Sequence, residues 1–187
     1  MRKIVIIIVS IFAIVVSATS FAESIKLASK TPDIVEPLEH MGDGRLAFYN
    51  THTNEKLDVV FRDGGKYDMD EIEKINHILR CRFTNKQTQM SRELVELIDK
   101  IQDHFYGKEI HIISGFRHPE FNGYLRNAGH KVAKYSLHMQ GVAIDIRIPG
   151  VSTKALRDYA ASLRAGGVGY YPSQSFVHVD VGRVRYW

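Results

Sequence analysis

The chain has 187 residues, of which 44% are hydrophobic and 25% are charged, and its formal net charge is +4. This composition suits one globular domain with its own hydrophobic core, and it excludes a fibrous or intrinsically disordered protein. Cys81 is the only cysteine of the sequence. An internal disulfide bond and a cysteine-based structural zinc site are therefore both excluded.

The N-terminus has the three parts of a secretory signal peptide. Basic residues at positions 2 and 3 precede an apolar run over residues 4–16, and Ser20-Phe21-Ala22 places small residues where signal peptidase acts. We expect residues 1–22 to be a signal peptide that is cleaved after Ala22 during export to the periplasm, with secretion or association with the cell wall as the alternative destination. An uncleaved membrane anchor is the alternative, because the apolar run is nearly long enough to span a bilayer.

The basic balance of the chain indicates an anionic partner. For an exported protein we expect a cell-wall polymer or a membrane surface rather than nucleic acid, and the sequence contains no long run of lysine and arginine. We expect no stable membrane insertion once the signal peptide has been removed. Residues 23–44 are polar, contain two prolines and show no hydrophobic period, so they predict an N-terminal arm before a folded domain over residues 45–187.

The first part of that domain alternates between short strand patterns and helical patterns. It predicts a β-hairpin over 46–50 and 56–61, a turn over 63–67, a helix capped by Asp70 that runs to Arg80, and a second helix over 91–106.

The second part of the domain is richer in strands. It predicts a strand over 109–113, a short helix over 122–128, a strand around Asp145, a helix over 152–163 capped by Ser152, a glycine-rich turn over 166–169 and a strand around His178. Because helices come first and strands are concentrated later, the pattern indicates an α+β fold with a small antiparallel β-sheet flanked by helices.

Two segments carry the residue types of a metal site. One is Ser136-Leu-His138-Met-Gln-Gly141-Val-Ala143-Ile-Asp145, and the other is Phe176-Val-His178-Val-Asp180. In both strands every second residue is aliphatic and faces one side, so Asp145, His178 and Asp180 face the other side. If the strands pair, they bring Asp145 and His178 together, and His138 can reach the same point from just ahead of its strand. Three such ligands and one open position are what a catalytic zinc ion requires.

A simpler interpretation must be weighed against the metal site. A single His-to-Asp spacing is a weak signal, because a lone histidine near a strand is more often packed or solvated, and an outward-facing aspartate is usually only hydrated. The second His/Asp pair strengthens the metal hypothesis, since it supplies the missing ligand on a compatible strand face.

The order of these motifs resembles a known family. It is similar to the zinc peptidases grouped as lysostaphin, D-Ala-D-Ala metallopeptidases and hedgehog, and it looks most like the MepK type of murein endopeptidase. The matching residues cover nearly the whole mature chain, and they include Ser114-Gly-Phe-Arg117, the two segments above, Leu163 to Pro172, Gly182 and the terminal Trp187.

The resemblance implies a hedgehog-like or D-Ala-D-Ala-peptidase-like fold and a bound Zn²⁺ ion. It implies that His138, Asp145 and His178 hold the zinc, and that Arg117 faces the substrate and supports the transition state. The implied activity is hydrolysis of peptide cross-links in peptidoglycan (murein), and we expect a monomer. A carboxypeptidase that trims stem peptides and a non-catalytic, zinc-containing wall-binding module are the alternatives.

One departure concerns the catalytic base. Relatives in the D-Ala-D-Ala branch place a glutamate three residues before the last zinc histidine, where this chain has Ser175. Residues two apart on a strand share one face at a separation of about 7 Å. One residue of the pair His178 and Asp180 can therefore bind the zinc while the other reaches the zinc-bound water. We favour His178 as the ligand and Asp180 as the general base or as an orienting partner of a ligand histidine, and the swapped assignment stays open. For His52 we expect only a structural hydrogen bond.

Overall fold

The computed structural model describes residues 42–130 and 132–187. The predicted signal peptide and most of the predicted arm lie outside these residues. Within the described part of the chain, no helix is long and apolar enough to cross a membrane.

The centre of the domain is a seven-stranded, mostly antiparallel β-sheet. Its order is β2-β1-β5-β6-β8-β7-β9, and only the β1–β5 and β7–β9 pairs are parallel. The strands are β1 (Arg45–Asn50), β2 (Lys56–Val60), β5 (Ile110–Ser114), β6 (Ala143–Arg147), β7 (Gly167–Tyr171), β8 (Phe176–Asp180) and β9 (Arg185–Tyr186). A separate small hairpin pairs β3 (Arg62–Asp63) with β4 (Lys66–Tyr67) at the predicted turn. The predicted α+β class is confirmed, with a larger sheet than we expected.

Four α-helices surround the sheet in the described part of the chain. They are α1 (Met69–Ile78), α2 (Arg92–His104), α3 (Pro119–Asn127) and α4 (Thr153–Ser162). Ser91 caps α2 and Ser152 caps α4, each accepting a hydrogen bond from the backbone N–H three residues later. The sequence predicts the cap at Ser152, whereas it places Ser91 inside its helix. The short helix α3 begins earlier than predicted because Pro119, with its fixed φ, occupies the first turn.

The N-cap of α1 differs from the prediction. Asp68, and not Asp70, has the extended backbone of a cap, and its Oδ1 accepts from the N–H groups of Asp70 and Glu71. Asp70 instead places a carboxylate in the first turn, where it interacts favourably with the helix dipole. The helix also ends at Ile78, with Leu79 as the C-cap, and does not reach Arg80.

The predicted turn over 166–169 is wrong, because these glycines mostly belong to strand β7. Glycine is required here because other parts of the protein lie close to the backbone, and not because the chain turns. A Cβ on Gly166 would lie 1.8 Å from the Asp180 carbonyl oxygen, and one on Gly169 would lie 2.7 Å from the Trp187 ring. A side chain at Gly166 would collide with the backbone at the end of β8, and one at Gly169 would collide with the Trp187 ring.

One face of the sheet packs against the hydrophobic core, and the other face carries the candidate site. Ile144, Ile146, Val177 and Val179 are fully buried in the core between the sheet and the helices. Since side chains alternate along a strand, the residues between them emerge on the opposite face. The buried faces of β6 and β8 therefore fix the register that presents Asp145, His178 and Asp180 on the other side.

Candidate metal centre

Strands β6 and β8 place two of the predicted ligands opposite each other. In their antiparallel register, Asp145 pairs with His178. The third ligand, His138, comes from a 3₁₀ turn over Leu137–Gln140 that ends at Gly141 in the left-handed conformation (φ 70°). A Cβ on Gly141 would lie 2.7 Å from the Gln89 carbonyl oxygen, so both its φ and its surroundings require glycine. The structure thus brings together the three residues that the sequence predicts as metal ligands.

Three donor atoms form a compact triangle. The distances are 3.3 Å from His138 Nε2 to Asp145 Oδ1, 3.1 Å from His138 Nε2 to His178 Nδ1, and 2.8 Å from His178 Nδ1 to Asp145 Oδ1. A tetrahedral zinc site with bonds of 2.0–2.1 Å has ligand separations of about 3.3 Å. The triangle therefore fits one zinc-sized ion after shifts of a few tenths of an ångström.

Both histidines are held in the tautomer that a metal site needs. The Nδ1 of His138 lies 2.8 Å from the Gly115 carbonyl oxygen, so Nδ1–H donates there and the Nε2 lone pair faces the triangle. The Nε2 of His178 lies 3.0 Å from Asp180 Oδ2, so Nε2–H donates there and the Nδ1 lone pair faces the triangle. Metal-binding histidines are characteristically oriented by such partners on the other ring nitrogen.

The Asp180 carboxylate is completely enclosed and has several donors. It is 0% exposed; Oδ1 accepts from the N–H groups of Gly167 (3.0 Å) and Gly182 (2.8 Å), and Arg185 donates to both oxygens (3.1 and 2.8 Å). Burial alone would raise its pKa, but the hydrogen bonds from His178 and these donors outweigh it and hold the pKa well below its usual range. This environment favours the orienting alternative for Asp180 over the general-base alternative, because an enclosed, weakly basic carboxylate is poorly placed to accept a proton from water.

Arg117 lies beside the ligand Asp145. Strand β5 pairs with β6 so that Ser114 is opposite Asp145, and the chain then delivers Arg117 to the same edge. The Nη2 of Arg117 lies 3.7 Å from Asp145 Oδ2, the oxygen that is not in the donor triangle. Burial lowers the pKa of Arg117, yet an arginine remains charged in proteins. Its Nε is buried without a hydrogen-bond partner in the described part of the chain, so this donor is available to a ligand.

The Asp145 carboxylate is ionised although it is buried. Burial would raise its pKa, but His138 and His178 lower it when their ring nitrogens that face Asp145 carry protons, because the positive charge and the N–H hydrogen bonds then outweigh burial. The acidic group of the triangle is therefore an anion near neutral pH, which is the form that binds a metal ion.

An aromatic wall beside His178 was not predicted from the sequence. The Trp187 ring centroid lies 5.3 Å from that of His178, and the Trp187 indole N–H donates to the Tyr171 hydroxyl at 2.9 Å. Trp187 packs over Gly169, which is opposite His178 in the register of β7 and β8. The terminal tryptophan was noted only as part of the resemblance, and no local pattern in the sequence connects it to His178.

Ser175 lies in the left-handed turn before β8 and adds no carboxylate to the site.

This fold and site define the class of the protein as a metallopeptidase. The model of the family described as peptidoglycan L,D-endopeptidase MepK matches residues 39–187, and the chain belongs to this family. It is 39% identical over 144 residues to the peptidoglycan L,D-endopeptidase MepK of Escherichia coli (strain K12), which covers 76% of this chain and 79% of that protein. It is 38% identical over 144 residues to a probable peptidoglycan L,D-endopeptidase MepK of Haemophilus influenzae, covering 76% and 77%. No solved structure matches the chain significantly. The resemblance inferred from the sequence is thereby confirmed.

Proposed function

We propose that the chain is an exported, zinc-dependent endopeptidase that hydrolyses L,D cross-links of peptidoglycan. The observation that carries the proposal is the triangle of His138 Nε2, Asp145 Oδ1 and His178 Nδ1, in which both histidines have their metal-binding tautomer fixed by a partner. Two nitrogen donors and one carboxylate, with the fourth position left open, are the ligand set of catalytic zinc rather than of calcium or magnesium, which prefer oxygen ligands.

The residues around the triangle have separate tasks in this mechanism. Zinc, when bound, lowers the pKa of water toward about 7 and polarises a carbonyl group. Arg117 directs its guanidinium toward the same edge, where it binds the carbonyl oxygen of the scissile bond and stabilises the negative charge that develops there. Asp180 and Gly115 hold the two imidazoles in register, and neither needs to change its protonation state.

Family membership supports the proposed substrate, and the charge of the chain agrees with it. The relatives named above are peptidoglycan L,D-endopeptidases. Stem peptides carry free carboxylates, which suit a basic chain with a buried arginine at its metal centre. The signal-like residues 1–22 support a periplasmic location, where this polymer is found.

The test is digestion of purified, cross-linked peptidoglycan by the zinc-loaded protein, with the released muropeptides identified by mass. We expect L,D-cross-linked dimers to decrease and the corresponding monomers to accumulate without loss of terminal D-Ala. Release of D-Ala alone would show that the chain is a carboxypeptidase and not an endopeptidase. If no product is released, the chain is not a peptidoglycan hydrolase.

Arg117→Ala is the matched variant in this digestion. It should retain its zinc, because it removes no donor of the triangle, and lose about 100- to 1,000-fold in kcat, the size expected for one oxyanion-stabilising group. If the variant keeps wild-type turnover, Arg117 does not contact the reacting group.

A further inference from the structure

Three aromatic rings stack against one another on the loop and the helix that adjoin Arg117. Phe83, in the loop between α1 and α2, has ring centroids 5.1 Å from Phe121 and 5.3 Å from Tyr124 of α3, at interplanar angles of 8° and 20°. Phe121 is buried, but Phe83 is 51% exposed and Tyr124 is 55% exposed. We call these three side chains the aromatic platform. Large aromatic side chains that are stacked and left open to solvent are an informative exception to normal burial.

A cation lies over one ring of the platform. The guanidinium carbon of Arg82 is 5.2 Å from the centre of the Phe121 ring, and Arg82 Nη1 donates to His52 Nδ1 at 3.0 Å. His52 in turn lies 2.9 Å from the carbonyl oxygen of Ile113 in β5. The structural hydrogen bond expected for His52 therefore holds an arginine between the sheet and the platform.

The platform is continuous with the proposed catalytic cleft. Helix α3, which carries Phe121 and Tyr124, begins two residues after Arg117, whose N–H donates to the carbonyl oxygen of His138. The loop that carries Phe83 follows Leu79, whose carbonyl oxygen accepts from Phe116 N–H at 2.7 Å. The charge of Arg82 is close enough to contribute, after burial, to the lowered pKa of Arg117. A polymer bound at Arg117 therefore has the platform beside it.

We propose that Phe83 and Tyr124 form a saccharide subsite that stacks a pyranose ring of the glycan strand, with Arg82 beside the attached stem peptide. This inference rests on the proposed function for the identity of the polymer. Stem peptides present chains, carboxylates and amines, and the sugars are the units of peptidoglycan that present a ring face. The face of a pyranose ring carries C–H groups that pack against the electron-rich face of an aromatic ring. Arg82 can pair with a stem-peptide carboxylate through charge-assisted hydrogen bonds.

The first test compares two substrates that differ in their sugars: a cross-linked muropeptide that keeps its disaccharides, and the same cross-linked peptide after an amidase has removed its sugars and the freed amines have been acetylated. We expect the wild-type protein to prefer the sugar-bearing substrate by about tenfold in kcat/KM, the scale of one or two aromatic contacts. In the Phe83→Ala/Tyr124→Ala variant this ratio should fall to about one, mainly through KM. A wild-type ratio of one, or an unchanged ratio in the variant, overturns the subsite.

The matched control is Tyr106→Asn. Tyr106 is 93% exposed and lies before β5, at the opposite end of that strand from Ser114, and its positive φ of 61° suits asparagine. Its substrate ratio should equal that of the wild type. If the double variant unfolds, the single Tyr124→Ala variant replaces it, because this side chain is half exposed and its loss should lower the ratio partially.

The second test does not depend on catalysis. Glycan chains freed of peptide are titrated into the full chain and binding is followed by calorimetry or by NMR shifts. We expect the wild-type protein and Tyr106→Asn to bind, and the double variant to lose binding. If the wild-type protein cleaves peptidoglycan but binds no free glycan and shows no sugar preference, the subsite fails while the proposed function stands. If it binds glycan but cleaves nothing, the proposed function fails while the subsite stands.

Discussion

Two clusters in the described part of the chain hold three potential ligand atoms within 4.8 Å of one another, but their surroundings differ. One is the metal centre of His138, Asp145 and His178, and the other consists of Asp43, Asp99 and Asp103. In the second cluster, which we call the acidic cluster, an arginine lies among the carboxylates: Arg62 Nη2 lies 3.2 Å from Asp99 Oδ2, and Arg62 also pairs with Glu96. The acidic cluster links the start of the domain to helix α2, because Asp103 and Asp99 accept from the N–H groups of Asp43 and Gly44.

The metal centre has the opposite arrangement. Its arginines stand outside the triangle: Arg117 touches only the second oxygen of Asp145, and Arg185 pairs with Asp180 behind His178. Its imidazoles have a fixed tautomer that directs lone pairs inward, whereas the acidic cluster has no nitrogen donor. The comparison shows that close spacing of ligand atoms is a weak criterion, and that the groups orienting the ligands distinguish a metal site.

The largest expected effect comes from removing a nitrogen donor of the triangle. His138→Ala should lower zinc affinity by more than about 100-fold and abolish turnover. This loss exceeds the one expected when a residue that only orients a metal ligand is removed. Competition with a chromogenic chelator measures the affinity. Asp103→Asn, in the acidic cluster, is the control and should keep the wild-type affinity. If both variants lose zinc equally, the distinction between the clusters is wrong.

A smaller effect is expected behind the triangle, from Asp180→Asn. Oδ1 of Asp180 accepts from two backbone N–H groups and Arg185, so the asparagine oxygen should occupy that position and direct its NH₂ group at His178. The imidazole would then accept at Nε2 and carry its proton on Nδ1, toward the metal. We expect zinc affinity to fall by about 10- to 100-fold, measured as above.

A buried carboxylate without a metal role provides the control for that variant. Asp99→Asn should leave zinc affinity unchanged. If Asp180→Asn binds zinc as tightly as the wild type but loses about 100-fold or more in kcat, the general-base alternative for Asp180 is correct.

The smallest effect concerns the stability of the acidic cluster. Burial, and then the charges of Asp103, Glu96 and Asp43, raise the pKa of Asp99 from 3.8 to about 7. Because the folded state holds this proton more tightly, the stabilising contribution is complete below pH 3.8 and is lost as the pH rises through 7. Between pH 5 and pH 8, wild-type stability should therefore fall by at least about 1 kcal/mol relative to Asp99→Asn, measured by urea unfolding. Parallel pH profiles for the two proteins would contradict this.

Part of the site could be predicted from sequence, because side chains alternate between the two faces of a strand. Val177 and Val179 bury one face of β8, so His178 had to emerge on the other, and the same argument places Asp145 on β6. Ser152 could be recognised as a cap because its hydrogen bond is local in sequence. These predictions depend on residues that are close together along the chain.

Features that depend on distant partners could not be predicted in this way. The surroundings of Asp180 come from Gly167, Gly182 and Arg185, and the Trp187 contact with His178 has no local pattern. The glycines of β7 carried a misleading signal, since glycine is common both in turns and where backbones approach closely. Sequence alone therefore left the two roles of Asp180 open.

The central claim is that one zinc ion lies on the triangle, and anomalous X-ray diffraction at the zinc edge tests it most directly. We expect a single strong peak about 2.0–2.1 Å from His138 Nε2, Asp145 Oδ1 and His178 Nδ1, with Nε2 of His178 still bonded to Asp180. A peak bound by Asp180 and the Nε2 of His178, or a peak on Asp43, Asp99 and Asp103 with none on the triangle, would contradict the account.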